Sequence, residues 1–265
     1  MDSIVQFKEN QKAAWANFAL LEATTGTAAP RLVRFAGIRA GARVLDVDCG
    51  TGVVGLTAAR LGAHVTGIDL TPELIARAKE NAGLMELEAV FEVGDAEALP
   101  VPDATFDFVV SQFGHMFAPR PDVTISEMLR VLKPGGTIAF STWPPELFTG
   151  RMFALIGKYG PPPLAGVSPP AQWGDPGLVR ERLGAAVKDL CFTRDAMIVQ
   201  ALSPRHYRLF MEHNLGPMKK LLGALDASDP PKAANLRADL EDMVSSYFEN
   251  NTVRQDFLLS RAVKL

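Results

Sequence analysis

Between Arg43 and Ser141 short apolar runs alternate with helical patterns of roughly ten residues, and this rhythm restricts the fold more than any other feature of the chain. Strands are expected over Arg43–Val47, His64–Ile68, Glu88–Val93, Phe106–Ser111 and Thr137–Ser141. Helices are expected over Val54–Leu61, Pro72–Ala82 and Asp122–Leu132, with Pro72 in a first turn, where its missing N–H costs nothing. Strands that alternate with helices in this way make a mostly parallel sheet covered on both faces. The 48% of hydrophobic residues in 265 supply a core for such a sheet.

The flanks follow a different pattern. Residues 4–22 read as a helix with Phe7, Trp15, Phe18 and Leu21 near one face, followed by a loop over Thr24–Pro30 and a short helix over Arg31–Gly37. Beyond Thr142 eight of the 19 prolines fall between Pro144 and Pro176, a density that predicts a pinned loop rather than long regular elements. Ser203-Pro204 has the form of a helix cap and first turn, a helical pattern occupies 231–248, and Phe257–Val263 alternates as a closing strand. One domain over residues 1–265 is expected. Its parts are N-terminal helices (1–37), a core (38–142), a proline-rich lid (143–185), and a strand, helices and closing strand (186–265).

The run Val44-Leu-Asp-Val-Asp-Cys-Gly-Thr-Gly52 feeds a strand into a glycine turn and then a helix. That arrangement brings backbone N–H groups and a helix N-terminus beside a ligand. Gly50, Gly52 and Gly55, with Asp69 nineteen residues after Gly50, also fit a nicotinamide-dinucleotide fingerprint. Three features bear on the choice. Asp46 stands within the strand, where such fingerprints usually carry an apolar residue and a carboxylate needs a purpose such as anchoring the loop. Gly94-Asp95-Ala96 ends the third strand, in position to hydrogen-bond an adenine amino group. Leu132-Lys-Pro-Gly-Gly136 makes a sharp turn before the fifth strand.

With these residues in place, Val44–Ser141 resembles the class I S-adenosylmethionine (SAM)-dependent methyltransferases, and is similar to the ubiquinone/menaquinone-biosynthesis C-methyltransferase subgroup. The resemblance is close over the first 140 residues and loose after them. It implies a Rossmann-like, doubly wound sheet of seven strands with the last, Phe257–Val263, antiparallel. It further implies SAM as cofactor, bound by Asp46, Asp48, Cys49, Gly50, Thr51, Gly52, Asp69, Leu70, Asp95, Ala96 and Gln112. Within that set Gly50, Thr51 and Gly52 would line the methionine moiety, Asp69 would take the ribose hydroxyls, Leu70 would flank adenine, and Asp95 with the Ala96 N–H would read its edge. One departure stands out: Asp48 occupies a position where such families carry Gly or Ala.

Methyl transfer from a sulfonium needs mainly proximity, orientation and exclusion of water, with a general base only where the acceptor must lose a proton. His115, just past the fourth strand, is the candidate for that base. Trp15, Phe117, Trp143, Met152 and Tyr159 are candidates for an apolar acceptor pocket, with Phe153 and Trp173 nearby. Glu97, Asp103 and Glu146 read as solvated charges. Arg151 and Lys158 lie close enough to the lid to be weighed as grips for an acidic acceptor. His206 and His213 lie seven apart without further ligands, so no metal is expected.

A net charge of −3 gives no broad basic surface for nucleic acid. Two cysteines do not form a disulfide framework. Met1–Gln6 lacks a secretory pattern, and no apolar run reaches the roughly 20 residues of a bilayer span. The expectation is a cytoplasmic methyltransferase acting on a small, apolar or aromatic molecule. An NAD-dependent oxidoreductase and a catalytically inactive SAM-binding protein are the alternatives.

Overall fold

A computed structural model describes residues 3–16 and 22–265. The first helix, α1, spans Ser3–Trp15, shorter than expected, and Phe18 and Leu21 lie outside the described residues. Short helices α2 (Glu22–Thr25) and α3 (Ala29–Ala36) follow. Then come β1 (Arg43–Val47), α4 (Val53–Ala59), β2 (His64–Asp69), α5 (Pro72–Leu84), β3 (Val90–Val93) and β4 (Phe106–Gln112). The core closes with α6 (Pro121–Val131) and β5 (Leu132–Thr142). The turn expected at Leu132–Gly136 is taken into the start of β5: Gly135 sits at φ 76°, and the register with β4 slips between Phe106 and Phe108.

The remainder consists of α7 (Phe148–Tyr159), α8 (Pro176–Leu183), β6 (Val187–Gln200), α9 (Pro204–Asn214), α10 (Gly216–Ser228), α11 (Pro230–Ser245), the two-residue β7 (Phe248–Glu249) and β8 (Thr252–Lys264). The proline-rich segment is therefore not loop throughout. Its prolines cluster at both ends of an uninterrupted stretch from 146 to 160, and the twelve-residue α7 fits between them. Ser203 caps α9 as expected, its hydroxyl accepting from the His206 N–H at 3.0 Å.

Along the sheet the order is β3-β2-β1-β4-β5-β8-β6, with β7 paired to β8 off this path. Strands β1 to β5 pair in parallel, and β8 runs antiparallel to both β5 and β6. This is the doubly wound seven-strand path with an antiparallel last strand that the resemblance implies. The chain reverses direction across the sheet between β1 and β4, and such a switch point opens a crevice at the carboxyl ends of the strands.

Two of the apolar cores matter for that crevice. One packs the sheet against its flanking helices around Leu45, Ile68, Val109 and Phe140. The other joins α7 to α9, α10 and α11 around Phe148, Met152, Tyr207 and Leu236, and forms a cap above the carboxyl ends. None of the described helices is long and apolar enough to cross a membrane.

Candidate active site

At the switch point a cavity opens, floored by the β1–α4 loop and roofed by α1, α7 and α9. Asp48, Cys49, Gly50 and Thr51 form its floor, and Asp69 and Leu70 its side at the end of β2. Asp95, Ala96 and Gln112 complete the wall. The structure thus brings together nearly all the residues that the resemblance assigns to a cofactor.

Two of them serve the loop instead. Asp46 is buried within β1, where its Oδ2 accepts from the Gly55 N–H at 2.9 Å and ties the helix start to the strand. Its Oδ1 has no partner, and burial pushes this carboxyl up to about 7. Gly52 does not face the cavity either. An ideal Cβ there would lie 2.9 Å from the Phe91 ring, and one at Gly67 only 2.5 Å from it. The second glycine of the fingerprint makes room for a phenylalanine from β3 rather than for a ligand.

Asp69 has both oxygens engaged: Oδ2 accepts from the Gly50 N–H and Oδ1 from the Thr71 N–H, each at 2.8 Å. Asp95 accepts from the Glu97 N–H at 2.9 Å through Oδ1, and its Oδ2 pairs with the Lys8 ammonium at 2.5 Å. Gln112 donates from Nε2 to the Thr25 carbonyl at 2.9 Å, and its buried Oε1 is left without a partner. Asp48 adopts φ 52°, in the left-handed region that Gly or Asp tolerates best. Its backbone packs so closely on Gly114 that a Cβ at Gly114 would collide with it. Burial, followed by the charges of Asp69, Asp95 and Asp46, holds the Asp48 carboxyl well above the usual carboxylate range, and Lys8 opposes the effect. Burial also raises Asp69.

Residues Phe7, Gln11 and Trp15 of α1 share the cavity with Lys8 and Lys12, a helical face of i, i+4, i+8 spacing. Sequence reasoning recognised Trp15 but missed Lys8. The Lys8 Nζ bridges Asp95 and the Oε2 of Glu97, the latter at 2.6 Å. Glu97, read from sequence as a solvated charge, is buried and is also held by Arg120 at 2.8 Å. The far end of α1 rests on α10, where Gly216 leaves space for the Ala14 carbonyl that a Cβ would fill. Replacing Gly216 with valine is expected to lift α1 from the cavity. Limited proteolysis should then cut within residues 3–15 of the variant while the wild type is protected. Equal protection would show that α1 is held by other contacts.

The upper part of the cavity is apolar. Trp15 meets Phe117 at 4.8 Å between ring centroids, and Phe113 stacks on Trp143 at 3.9 Å. Met152 and Phe153 of α7 and Met211 of α9 add to the wall. Tyr159 does not: its hydroxyl donates to Asp239 at 2.6 Å on the outer side of α7. Trp173 is fully buried away from the cavity, and Arg151 lies against the Tyr247 ring.

His115 does not face the cavity. The helical turn at His115–Phe117 buries its ring completely between Phe140 and Trp173, each at 4.7 Å. Neither ring nitrogen has a partner, and burial, aided by the Arg182 charge, lowers its pKa to about 3. A neutral imidazole sealed in aromatic packing is a core residue and has no path to a substrate proton.

The profile of a methyltransferase domain matches residues 45–140, the span that carries the floor of this cavity. An uncharacterised protein of Mycobacterium tuberculosis is 35% identical over 257 residues, which cover 96% of this chain and 93% of that one. The demethylmenaquinone methyltransferase of Deinococcus radiodurans is 41% identical over 124 residues, covering 44% of this chain and 50% of that protein. Among solved structures, the YcgJ protein of Bacillus subtilis superposes with a TM-score of 0.62 at 19% identity, covering 90% of this chain and 98% of that one, a likeness of fold. Residues 45–140 thus belong to the methyltransferase domain family, and the sheet order and glycine loop are those of the class I methyltransferase fold.

Proposed function

We propose that this protein binds SAM along the floor of the cavity and transfers its methyl group to a small apolar or aromatic molecule held beneath α7 and α9. The observation that carries the proposal is the division of one cavity into a carboxylate-lined floor and an apolar roof. The floor suits the cofactor. Asp69 offers carboxyl oxygens to ribose hydroxyls, the unpartnered Gln112 Oε1 offers an acceptor, and Asp48 and its neighbours are carboxyls that a cationic ligand would help to ionise. When bound, SAM supplies an electrophilic methyl on a positively charged sulfur. The residues of the chain act by position: the floor fixes one reactant, the apolar roof holds the other in line, and α1 with the aromatic ring pairs excludes water. No histidine lines the cavity among the described residues, so the acceptors best suited are those that give up a proton readily. The unit we envisage is a single domain in which residues 143–185 help to cover the site.

The methyltransferase domain match over residues 45–140 favours methyl transfer over the nicotinamide reading. The inactive SAM-binding alternative is separated by turnover. Incubation with methyl-labelled SAM and a panel of neutral aromatic acceptors should yield labelled product and one equivalent of S-adenosylhomocysteine (SAH). Tight SAM binding with no SAH on any acceptor would favour the alternative.

A further inference from the structure

The part of the roof built by α7 and α9 is neutral. The charged residues of the cavity, Lys8, Lys12, Asp48, Asp69 and Asp95, all come from α1 or from the strand ends below. The lining side chains of α7, α9, β6 and β8 carry no charge, and only three of them are polar: Thr149, Tyr207 and Gln255. All three are more than nine-tenths buried, at 5%, 2% and 7% exposure.

Gln255 is out of place by pattern. On β8 the residues Val253, Gln255 and Phe257 face the core, so an amide interrupts an apolar stripe. It forms one hydrogen bond, from Nε2 to the Tyr207 hydroxyl oxygen at 2.6 Å. The Tyr207 ring is wedged edge-on against Phe148, with centroids 5.6 Å apart, which fixes the hydroxyl in place. Since the tyrosine oxygen accepts from the glutamine, its own proton is left to donate elsewhere. With the amide turned over, the tyrosine would donate and the glutamine N–H would be left instead. In either arrangement the pair presents a spare donor at a cavity wall. Burial also raises the Tyr207 pKa, which keeps the hydroxyl protonated. Next to Phe148 on α7, the Thr149 Oγ1 is buried with no partner. Buried polar groups ordinarily find partners, so an unsatisfied hydroxyl beside a ligand cavity points to one that the ligand supplies.

We infer that Tyr207 and Gln255 are the specificity-determining pair of this site: together they read an oxygen of an uncharged methyl acceptor by hydrogen bonding, while the rest of the molecule is held by apolar contact. Charged acceptors are refused because a carboxylate or ammonium would lose its hydration in this roof without a counter-charge. Sites built to hydrogen-bond a hydroxyl discriminate strongly against analogues that lack it. The inference rests on the cavity being the methyl-transfer site.

The test uses full-length protein saturated with SAH and four probes of one shape: para-butylphenol, butylbenzene, para-butylbenzoate and para-butylbenzylamine, titrated by calorimetry. The phenol is expected to bind about tenfold tighter than each of the others. Tyr207→Phe should bring the phenol to within about threefold of butylbenzene and leave butylbenzene unchanged. Because Tyr207→Phe leaves the Gln255 amide unsatisfied, the double variant Tyr207→Phe/Gln255→Met serves as a second test with the same expected loss of preference. A wild type that does not prefer the phenol, that prefers a charged probe, or whose preference survives both substitutions would overturn the inference. SAM titrated into the same samples keeps the two readings apart: binding of SAM without phenol preference removes this inference alone, and failure of SAM to bind removes the proposed function.

Discussion

Phe91→Ala is expected to destabilise the protein by about 3–5 kcal/mol, the ordinary cost of emptying a fully enclosed phenylalanine site. The ring is 1% exposed and sits in a notch made by the missing side chains of Gly52, Gly55 and Gly67, which an ideal Cβ would approach to 2.9, 3.5 and 2.5 Å. Glycine backbones cannot close over the vacated space by moving side chains, so collapse must shift the β1–α4 loop itself. The same substitution should therefore weaken SAM binding, although Phe91 does not line the cavity. Chemical denaturation and calorimetry on the variant measure both effects. A loss below about 1 kcal/mol, or unchanged SAM affinity in a clearly destabilised variant, would show that the ring does not support the loop.

The second large effect is a dependence of SAM binding on pH. Asp48 and Asp69 have folded-state pKa values raised by burial, and Asp48 is raised further by the carboxylates around it. A raised carboxyl holds its proton to higher pH than a free one. A bound cation favours the ionised form and expels any proton the carboxyls hold. By linkage, affinity for the sulfonium rises with pH until the carboxyls are ionised, gaining up to about tenfold per pH unit for each proton released. SAH carries the same groups without the positive charge on sulfur and should show a much flatter profile. Asp48→Asn should flatten the SAM profile and narrow the difference between the two ligands. A SAM affinity that falls from pH 6 to pH 8, or parallel profiles for SAM and SAH, would contradict this account.

The sign for folding is the reverse of the usual carboxylate case. For Asp46, at about 7, the folded state binds the proton more tightly than the unfolded one, so the contribution to stability is present below the unfolded pKa and is lost as pH rises toward 7.

The parallel core was legible because strands buried on both faces read as continuous apolar runs, and the helices between them begin at Gly52, Pro72 and Pro121, residues characteristic of a helix start. The floor of the cavity was legible for a related reason: it follows the strand ends, where position along the chain implies position in space. What the glycines accommodate was not legible. Gly52 and Gly67 meet Phe91 from another strand, and that contact depends on packing between elements. His115 lies three residues past Gln112 and reads as part of the crevice, but it sits in a helical turn with its ring packed between Phe140 and Trp173. Helix α7 was hidden by counting prolines across a window instead of marking the gap between them. Glu97 was taken as solvated because its partners, Lys8 and Arg120, lie 89 and 23 residues away along the chain. The polar pair of the roof had one sequence signal, a glutamine on the apolar face of a strand, and no local pattern links it to Tyr207.

Calorimetric titration of the wild type and Asp69→Ala with SAM, and with NAD as a control, tests the central claim most directly. Saturable SAM binding, weakened by about 1–3 kcal/mol in Asp69→Ala, with no response to NAD, is the predicted result. Absence of SAM binding by the folded wild type, or equal affinity in both proteins, would contradict it.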